Sequence, residues 1–424
     1  MNGLEACTSI AALRAVWKAE RKRLIKSCFG PDRITGASFE GKLDRQLREL
    51  RYRVASGFKP NGLLALAKSK ANGNGNRIIC VPTVADRLLQ FSILNQIRPR
   101  LRSMGLDNSV AFGLAPGPER SVLGARKFAC NARNDRPWVY KADVHKFFDN
   151  VGRETLRDAV SRTVRQRSLI PILHSFLATE IEDGAEKGWR SIVSEAGIRS
   201  GLGVRQGMPL SPFYAGVYLK DLDRRLIKRN VPVARYVDDI VAFFESEAEA
   251  RTFHTFLKSA LSDLGLSIGE PGAADSKTVI YMPDEPAAFL GMELSKLGTG
   301  SYQLRVAPSN IAKIGERIGS CGNAPALLER KVTLTTMGGY FKSVTNGYLN
   351  AYAAAQNRDD LRTAIQDAAV AAQANILRDL LGPDLLQRLS STDLQFLGVD
   401  PGVLLASEPK NATRTAPKGN RRKS

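Results

Sequence analysis

Histidine is scarce in this 424-residue chain: His145, His174 and His254 are the only three, and they form no HExxH or similar cluster. The five cysteines, Cys7, Cys28, Cys80, Cys130 and Cys321, are widely scattered and include no CxxC pair. These absences argue against a zinc ribbon and against a disulfide framework. A catalytic metal must therefore sit on carboxylates, which favours magnesium or manganese. No apolar run reaches the roughly 18 residues needed to span a bilayer. The N-terminal stretch MNGLEACTSIAALRAVWKAERKRLIKS carries its charges after its apolar part, the reverse of a signal peptide. The expectation is a soluble cytoplasmic protein with no membrane partner. Acidic residues are also in short supply, 42 against 62 Lys and Arg, for a net charge of +20. That balance favours a polyanionic partner, most simply nucleic acid, with membrane-surface binding as the weaker alternative.

Hydrophobic residues make up 43% of the chain, so most of it should be globular, with a sizeable core and two to four subdomains. Residues 11–28 read as a helix with a basic face, Arg14, Lys18, Arg21, Lys22, Arg23 and Lys26 against Glu20 alone. In LAKSKANGNGNRIICVP, two extended segments flank Asn72 to Asn76, and Asn-Gly pairs signal a β-hairpin. TVADRLLQFSILNQIRPRLRSM reads as a helix from the near-3.6 recurrence of Leu88, Leu89, Ser92, Ile93 and Ile97. A strand is expected over Trp138 to Val144. Residues 155–198 look helical, with a polar loop near 183–190. A Gly/Pro-rich loop becomes a helix from about Pro212. VPVARYVDDIVAFFES reads as a hairpin and EAEARTFHTFLKSALSDLGLSI as an amphipathic helix. Further on, Leu361, Ile365, Ala369, Ala372, Ile376 and Leu380 form one helical stripe that stops at Gly382-Pro383. EPKNATRTAPKGNRRKS, basic and without apolar periodicity, reads as a disordered tail. This order of elements predicts an α+β fold, an antiparallel sheet backed by helices.

Three acidic positions stand out: Asp143 at the end of a strand, and the adjacent pair Asp238 and Asp239 inside an apolar hairpin. A lone DD is most often a polar turn. Here apolar residues surround it on both sides, and burying an unpaired charge costs several kcal/mol by order of magnitude. A strand end and a neighbouring hairpin turn can bring carboxylates together, with divalent cations relieving their repulsion. Two metals about 3.5–4 Å apart activate an attacking hydroxyl and stabilise the leaving oxygen in phosphoryl transfer.

YVDD, Tyr236 to Asp239, resembles the signature of reverse transcriptases. ADVHKFFDNV resembles their first catalytic motif, and GVRQGMPLSPFYAGVYLKDLD the motif that holds template and incoming nucleotide. NRIICVPTVADRLLQFSI, SVAFGLAPGPERSVLGARK, DSKTVIYM and AAFLGMEL resemble the flanking motifs, in family order, from Lys68 to Leu294. The resemblance implies a right-hand polymerase. Its parts would be a basic N-terminal helical region (1–40), fingers (41–135), a palm (136–298, with a helical insertion about 155–200), an α-helical thumb (299–400) and a basic tail (405–424). It implies RNA-directed DNA synthesis from a primer 3′ hydroxyl, with an RNA template, a DNA product and dNTPs as partners. Asp143, Asp238, Asp239 and the backbone carbonyl of Val144 would hold two Mg²⁺ ions, with Mn²⁺ as an alternative. Lys70 and Arg77 would clamp the triphosphate. Phe148 would be the steric gate that selects dNTPs, and adjacent Phe147 core. Gln206 and Gly207 would lie against the incoming nucleotide. Lys277 would protonate the pyrophosphate leaving group. Tyr236, Val237, Phe289, Leu290 and Gly291 would meet primer and template. Arg205 and Gly216 depart from many relatives, which have Pro and Asn there.

The roughly 130 residues beyond the matching region show no acidic cluster of an RNase H domain and no Cys/His-bearing nuclease. VTNGY, Val344 to Tyr348, only partly echoes the thumb motif of retron enzymes. The chain resembles the compact bacterial reverse transcriptases linked to antiphage defence, which copy a partner non-coding RNA. A group II intron-type maturase or retron enzyme, and an untemplated or protein-primed DNA synthase, are the alternatives. Oligomeric state is not legible.

Overall fold

The computed structural model describes residues 2–69, 75–274, 276–296, 298, 300–382, 388 and 390–396. Two compact units divide the chain, Met1–Leu290 and Gly291–Ser424. No helix among the described residues is long and apolar enough to cross a membrane.

The first unit is α+β, as expected. Its N-terminal layer contains the helix Ile10–Lys26, capped by the Ser9 hydroxyl and buried through Leu13, Val16, Trp17 and Leu24. Its basic face is less bare than the local sequence suggests: Arg14 pairs with Asp44, and Arg21 with Glu40. Those acids come from the following helices, where a reading of residues 11–28 alone cannot find them. The strands β1 (Leu63–Ser69) and β2 (Asn76–Val81) pair antiparallel, so the Asn-Gly stretch does join a hairpin. Lys70 and the next four residues lie outside the described residues. The helix Val84–Ile97 follows, capped by Thr83 and shorter than its periodic stretch because a 3-10 turn, Arg98–Arg100, takes over at Pro99.

One correction concerns the segment expected to be helical over 155–198. Helices occupy Arg153–Thr163, Ile170–Leu177 and Trp189–Glu195, but Ile181–Gly184 is a strand paired parallel to β1. Four residues reading IEDG are too short and too polar to show strand alternation. The exposed edge of β1 orders them, beginning with Leu63 N–H donating to Glu180 O at 2.8 Å.

The larger sheet carries β3 (Ala111–Phe112), β4 (Trp138–Asp143), β6 (Val233–Tyr236), β7 (Asp239–Phe244) and β8 (Val279–Tyr281), with Ile181–Gly184 counted as β5. Its order is β3-β6-β7-β4-β8, antiparallel except where β3 meets β6. The helix Glu247–Ser262 packs on β4 and β7, and Val122–Asp135 on β6. The inner strands are buried because apolar residues fill them almost continuously: Ile240 to Phe244 are all 3% exposed or less.

The second unit contains β10 (Met292–Ser295) paired with β11 (Gln303–Arg305), β9 being Ala287–Phe289 of the first unit. Its helices include Pro308–Gly319, Leu334–Ala351 and Arg358–Leu381. Leu361, Ile365, Ala369, Ala372 and Ile376 of the last helix are buried as the stripe predicts. Leu380 is 48% exposed, and Gln373 and Leu377 are buried in addition, so the buried face is broader and ends earlier. The basic tail expected at 405–424 lies outside the described residues.

Candidate active site

The strand β4 ends at Asp143, and β7 begins at Asp239. The antiparallel register places these two residues directly opposite each other. Tyr236 pairs with Asp239 across β6 and β7, leaving Val237 and Asp238 as a two-residue turn. Val237 has φ +59°, a strained value for a β-branched residue that costs about 1–3 kcal/mol. Arg235 supports the turn. Its buried guanidinium bonds both oxygens of Asp223 at 2.6 Å and donates to the Val237 carbonyl at 2.8 Å.

The three carboxylates are electrostatically coupled. Burial pushes the Asp239 carboxyl up to about 6, with Asp143 and Asp238 adding to the rise and Lys141 opposing it. Burial, then the Asp143 charge, also raises Asp238, while Arg77 and Lys277 pull the other way. Lys277 Nζ lies 2.8 Å from Asp143 Oδ2, and Lys141 Nζ 4.0 Å from Asp239 Oδ1. Among the described residues, no three His, Cys, Asp or Glu side chains already form a metal cage. Lysine ammonium groups stand against the carboxylates instead. Yet Asp239 Oδ1 is buried with no hydrogen-bond partner. An unpaired buried carboxylate oxygen beside two more carboxylates is a donor set that suits a hard divalent cation. The residues present therefore fit a metal of that kind.

A cavity of about 140 Å³ opens beside Asp143, Val144, Asp238 and Lys277. Arg77 of β2 lines it, as do Phe148 and Gln206, so the structure brings seven of the predicted site residues together there, while Asp239 does not line the cavity. Phe148 is half-buried, whereas neighbouring Phe147 is 1% exposed. A larger cavity, about 680 Å³, lies in the second unit between the helices at 334–351 and 358–381 and holds none of the carboxylates.

Other predicted residues lie elsewhere. Gly207 does not line the cavity. Its φ is +105°, and a Cβ there would come 2.7 Å from the Cys80 carbonyl. The close approach that requires glycine is thus to β2, where Cys80 N–H also donates to Gln206 O at 2.7 Å. Phe289 is a core side chain, 1% exposed. The Leu290 carbonyl accepts from Arg126 Nε at 3.1 Å, and Leu290 and Gly291 have φ +48° and +78°. Tyr236 lies against Gly113, where an added Cβ would come 2.6 Å from its ring. Lys70 is outside the described residues.

Sequence reasoning passed over Lys141 and Lys146. Lys141 stands two residues before Asp143 and so shares its face of the strand, a period-2 signal that was available. Lys146, with φ +42°, lines the cavity and donates to Ala196 O at 3.3 Å. Arg205, a departure from relatives, is 3% exposed and bonds Glu180 at 2.5 Å. Arg153 bonds the same carboxylate at 2.6 Å.

Residues 68–294, over half of the chain, match the family described as "Reverse transcriptase (RNA-dependent DNA polymerase)". Two curated relatives are each a Group II intron-encoded protein LtrA from Lactococcus lactis subsp. cremoris, one of them from strain MG1363. Both are 23% identical over 202 residues, covering 46% of this chain and 31% of the relative. The chain thus spans about a third of the length of those relatives. Among solved structures, a partial Cas6-RT-Cas1–Cas2 complex is similar at 20% identity and a TM-score of 0.35, over 62% of this chain and 42% of that one. A Cas6-RT-Cas1–Cas2 complex has the same identity and TM-score over 62% and 26%.

Proposed function

The chain belongs to the reverse transcriptase (RNA-dependent DNA polymerase) family, and we propose that it extends a 3′ hydroxyl with dNTPs on an RNA template by two-metal phosphoryl transfer. The observation that carries this reading is the Asp143–Asp239 register, with Asp238 on the adjoining turn and Arg77, Phe148 and Gln206 around one cavity. Two divalent cations, Mg²⁺ or Mn²⁺, would be held by Asp143, Asp238, Asp239 and the Val144 carbonyl, and supply activation of the 3′ hydroxyl and charge stabilisation of the leaving oxygen.

The remaining work belongs to the chain itself. Arg77 binds the triphosphate as a fixed cation, and Lys70 completes that clamp. The Phe148 ring closes the floor under the sugar, where a 2′-hydroxyl would clash. Gln206 hydrogen-bonds the incoming nucleotide. Lys277 delivers a proton to the departing pyrophosphate. Tyr236 and Val237 support the primer end. On this reading fingers occupy 41–135, palm 136–298 and thumb 299–400, and the unit boundary at Leu290–Gly291 falls within the last residues of that palm. In it, residues 1–40 and 405–424 add basic surface for RNA.

The template on this reading is a structured partner non-coding RNA, and the DNA product serves antiphage defence in the bacterial cytoplasm. Support comes from the resemblance of the motif set to compact bacterial enzymes and from the +20 charge. The likeness to a group II intron-encoded protein favours a second reading, binding and copying of intron RNA. Purified protein should incorporate dNTPs on primed RNA with Mg²⁺, and Asp238→Ala should not. Wild-type incorporation by that variant refutes the site. Sequencing the RNA and DNA that copurify separates the two readings: one discrete non-coding RNA with its complementary DNA supports the first, and intron RNA the second.

A further inference from the structure

Behind the carboxylates lies a buried polar chain that the reaction as described does not use. Tyr140 belongs to β4, three residues before Asp143, and is fully buried. Its hydroxyl is 2.9 Å from His254 Nδ1, on the helix that backs the sheet. His254 is 7% exposed, and its Nε2 is 3.0 Å from Glu270 Oε2. Lys258 pairs with the other oxygen of Glu270. Burial raises the Tyr140 phenol well above its usual range, so its hydroxyl keeps its proton beside Nδ1. The Glu270 carboxylate can only accept, so Nε2 of His254 donates to it. Lys258, then His254, hold that carboxyl below the usual range.

Glu270 lies in the 266–278 loop, which also carries Lys277. The same loop is tied to the chain just beyond β4, where His145 N–H donates to Ser267 O at 2.9 Å. The loop also closes on itself. Gly269 lies so near Ser276 that a Cβ would come 2.4 Å from its hydroxyl, and Gly272 N–H reaches Thr278 O at 3.4 Å. Directly afterwards β8 pairs with β4, Val279 opposite Lys141. The loop is therefore anchored at residues 140 and 145 of the catalytic strand segment, and Lys277 emerges against Asp143.

We propose that His254 is a positioning residue: by bridging Tyr140 and Glu270 it holds the 266–278 loop across the end of β4 and so presents Lys277 to Asp143. The inference rests on the polymerase reading of Asp143 and Lys277. It assigns His254 no contact with substrate. Removing the bridge frees the loop and blurs the place of the ammonium, so it acts on turnover rather than on nucleotide binding.

The test is a double-mutant cycle on steady-state dNTP incorporation, with hydrogen exchange of the 266–278 loop as a readout that needs no activity. His254→Phe and Glu270→Ala should each lower kcat about tenfold with the dNTP KM unchanged, and speed exchange in the loop. In a Lys277→Ala background the same substitutions should cost nothing further. Wild-type kcat in His254→Phe, or equal losses with and without Lys277, overturns the proposal. Tyr140→Phe removes one hydroxyl and no volume, so it covers the case in which His254→Phe does not fold. It should show a smaller loss, also absorbed by Lys277→Ala, and undiminished additivity overturns the proposal equally. If the wild type itself incorporates no dNTP while His254→Phe loosens the loop, the polymerase reading fails and the clamp stands. If exchange in the loop is unchanged, the clamp fails whatever the activity.

Discussion

Glu180 and Asp239 are both acidic, both largely withdrawn from water and both beside cations, yet their surroundings treat them in opposite ways. Burial alone would raise Glu180, but the Gly201 N–H, Arg205 and Arg153 outweigh it and hold the carboxyl below its usual range. Gly201 N–H donates at 2.8 Å, and the two guanidinium groups at 2.5 and 2.6 Å. Asp239 has Lys141 only at 4.0 Å from Oδ1, and that buried oxygen accepts no hydrogen bond. The first site spends its charge on joining the 180 strand, the helix at 153–163 and the loop at 199–206. The second leaves its charge unmet. A carboxylate satisfied by its own chain has nothing left for a ligand, and one held unsatisfied is poised for a cation.

The largest way to test this contrast is Asp239→Asn. Incorporation should fall at least about a hundredfold, while metal-free stability at neutral pH should rise by about 1–3 kcal/mol. The folded carboxyl keeps its proton up to about pH 6, whereas an unfolded one releases it near pH 3.9, roughly. Metal-free stability of the wild type therefore falls as pH rises from about 4 to about 6, and Asn removes that fall. A neutral-pH melting temperature below wild type in chelator breaks the contrast.

Glu180→Gln is its counterpart. Leaving Arg153 and Arg205 buried against a neutral amide should cost about 3 kcal/mol, read as a lower urea midpoint. Glu180 is depressed in the fold, so its contribution is present above about pH 4.3 and is lost as pH falls through its lower folded value. Acid unfolding should be flatter in the variant; an unchanged acid limb would show that Glu180 is not the anchor.

Phe148 stands between the two sites, its ring at the cavity and its carbonyl accepting from Val204 N–H at 2.7 Å. Phe148→Ala should raise ribonucleotide relative to deoxyribonucleotide incorporation by about 10–100-fold. An unchanged ratio would make Phe148 a packing residue. The smallest effect is expected at the turn. Val237→Gly relieves positive-φ strain but loses packing, so stability should move by less than about 1 kcal/mol. A larger loss by thermal melting would show that the side chain, and not Arg235, holds the turn.

What the sequence showed and what it hid follow from the same physics. The β6–β7 hairpin and the strand at 138–143 were readable because runs of buried apolar residues are long there. The β1–β2 hairpin was readable because Asn-Gly turns are local. The strand at 181–184 was not, since its order comes from an edge supplied more than a hundred residues earlier, roughly. Asp143, Asp238 and Asp239 were visible because charge in an apolar frame is locally conspicuous. Phe289, expected at a primer and found in the core, was not separable, because an apolar side chain looks the same for both roles. Glu180 with Arg153 and Arg205 was invisible because each is an ordinary charge until the fold joins them.

The order of the larger sheet has a consequence for how the chain is born. The pairs Asp143 with Asp239 and Phe112 with Tyr236 join residues about a hundred or more positions apart, the second in parallel, and such pairings form slowly. Strand β8, the outer partner of β4, is the last strand of this sheet to be synthesised. A nascent chain on the ribosome thus carries Asp143 apart from Asp238 and Asp239 until most of the first unit has emerged. The charge cluster is assembled late, once the surrounding core exists to hold it.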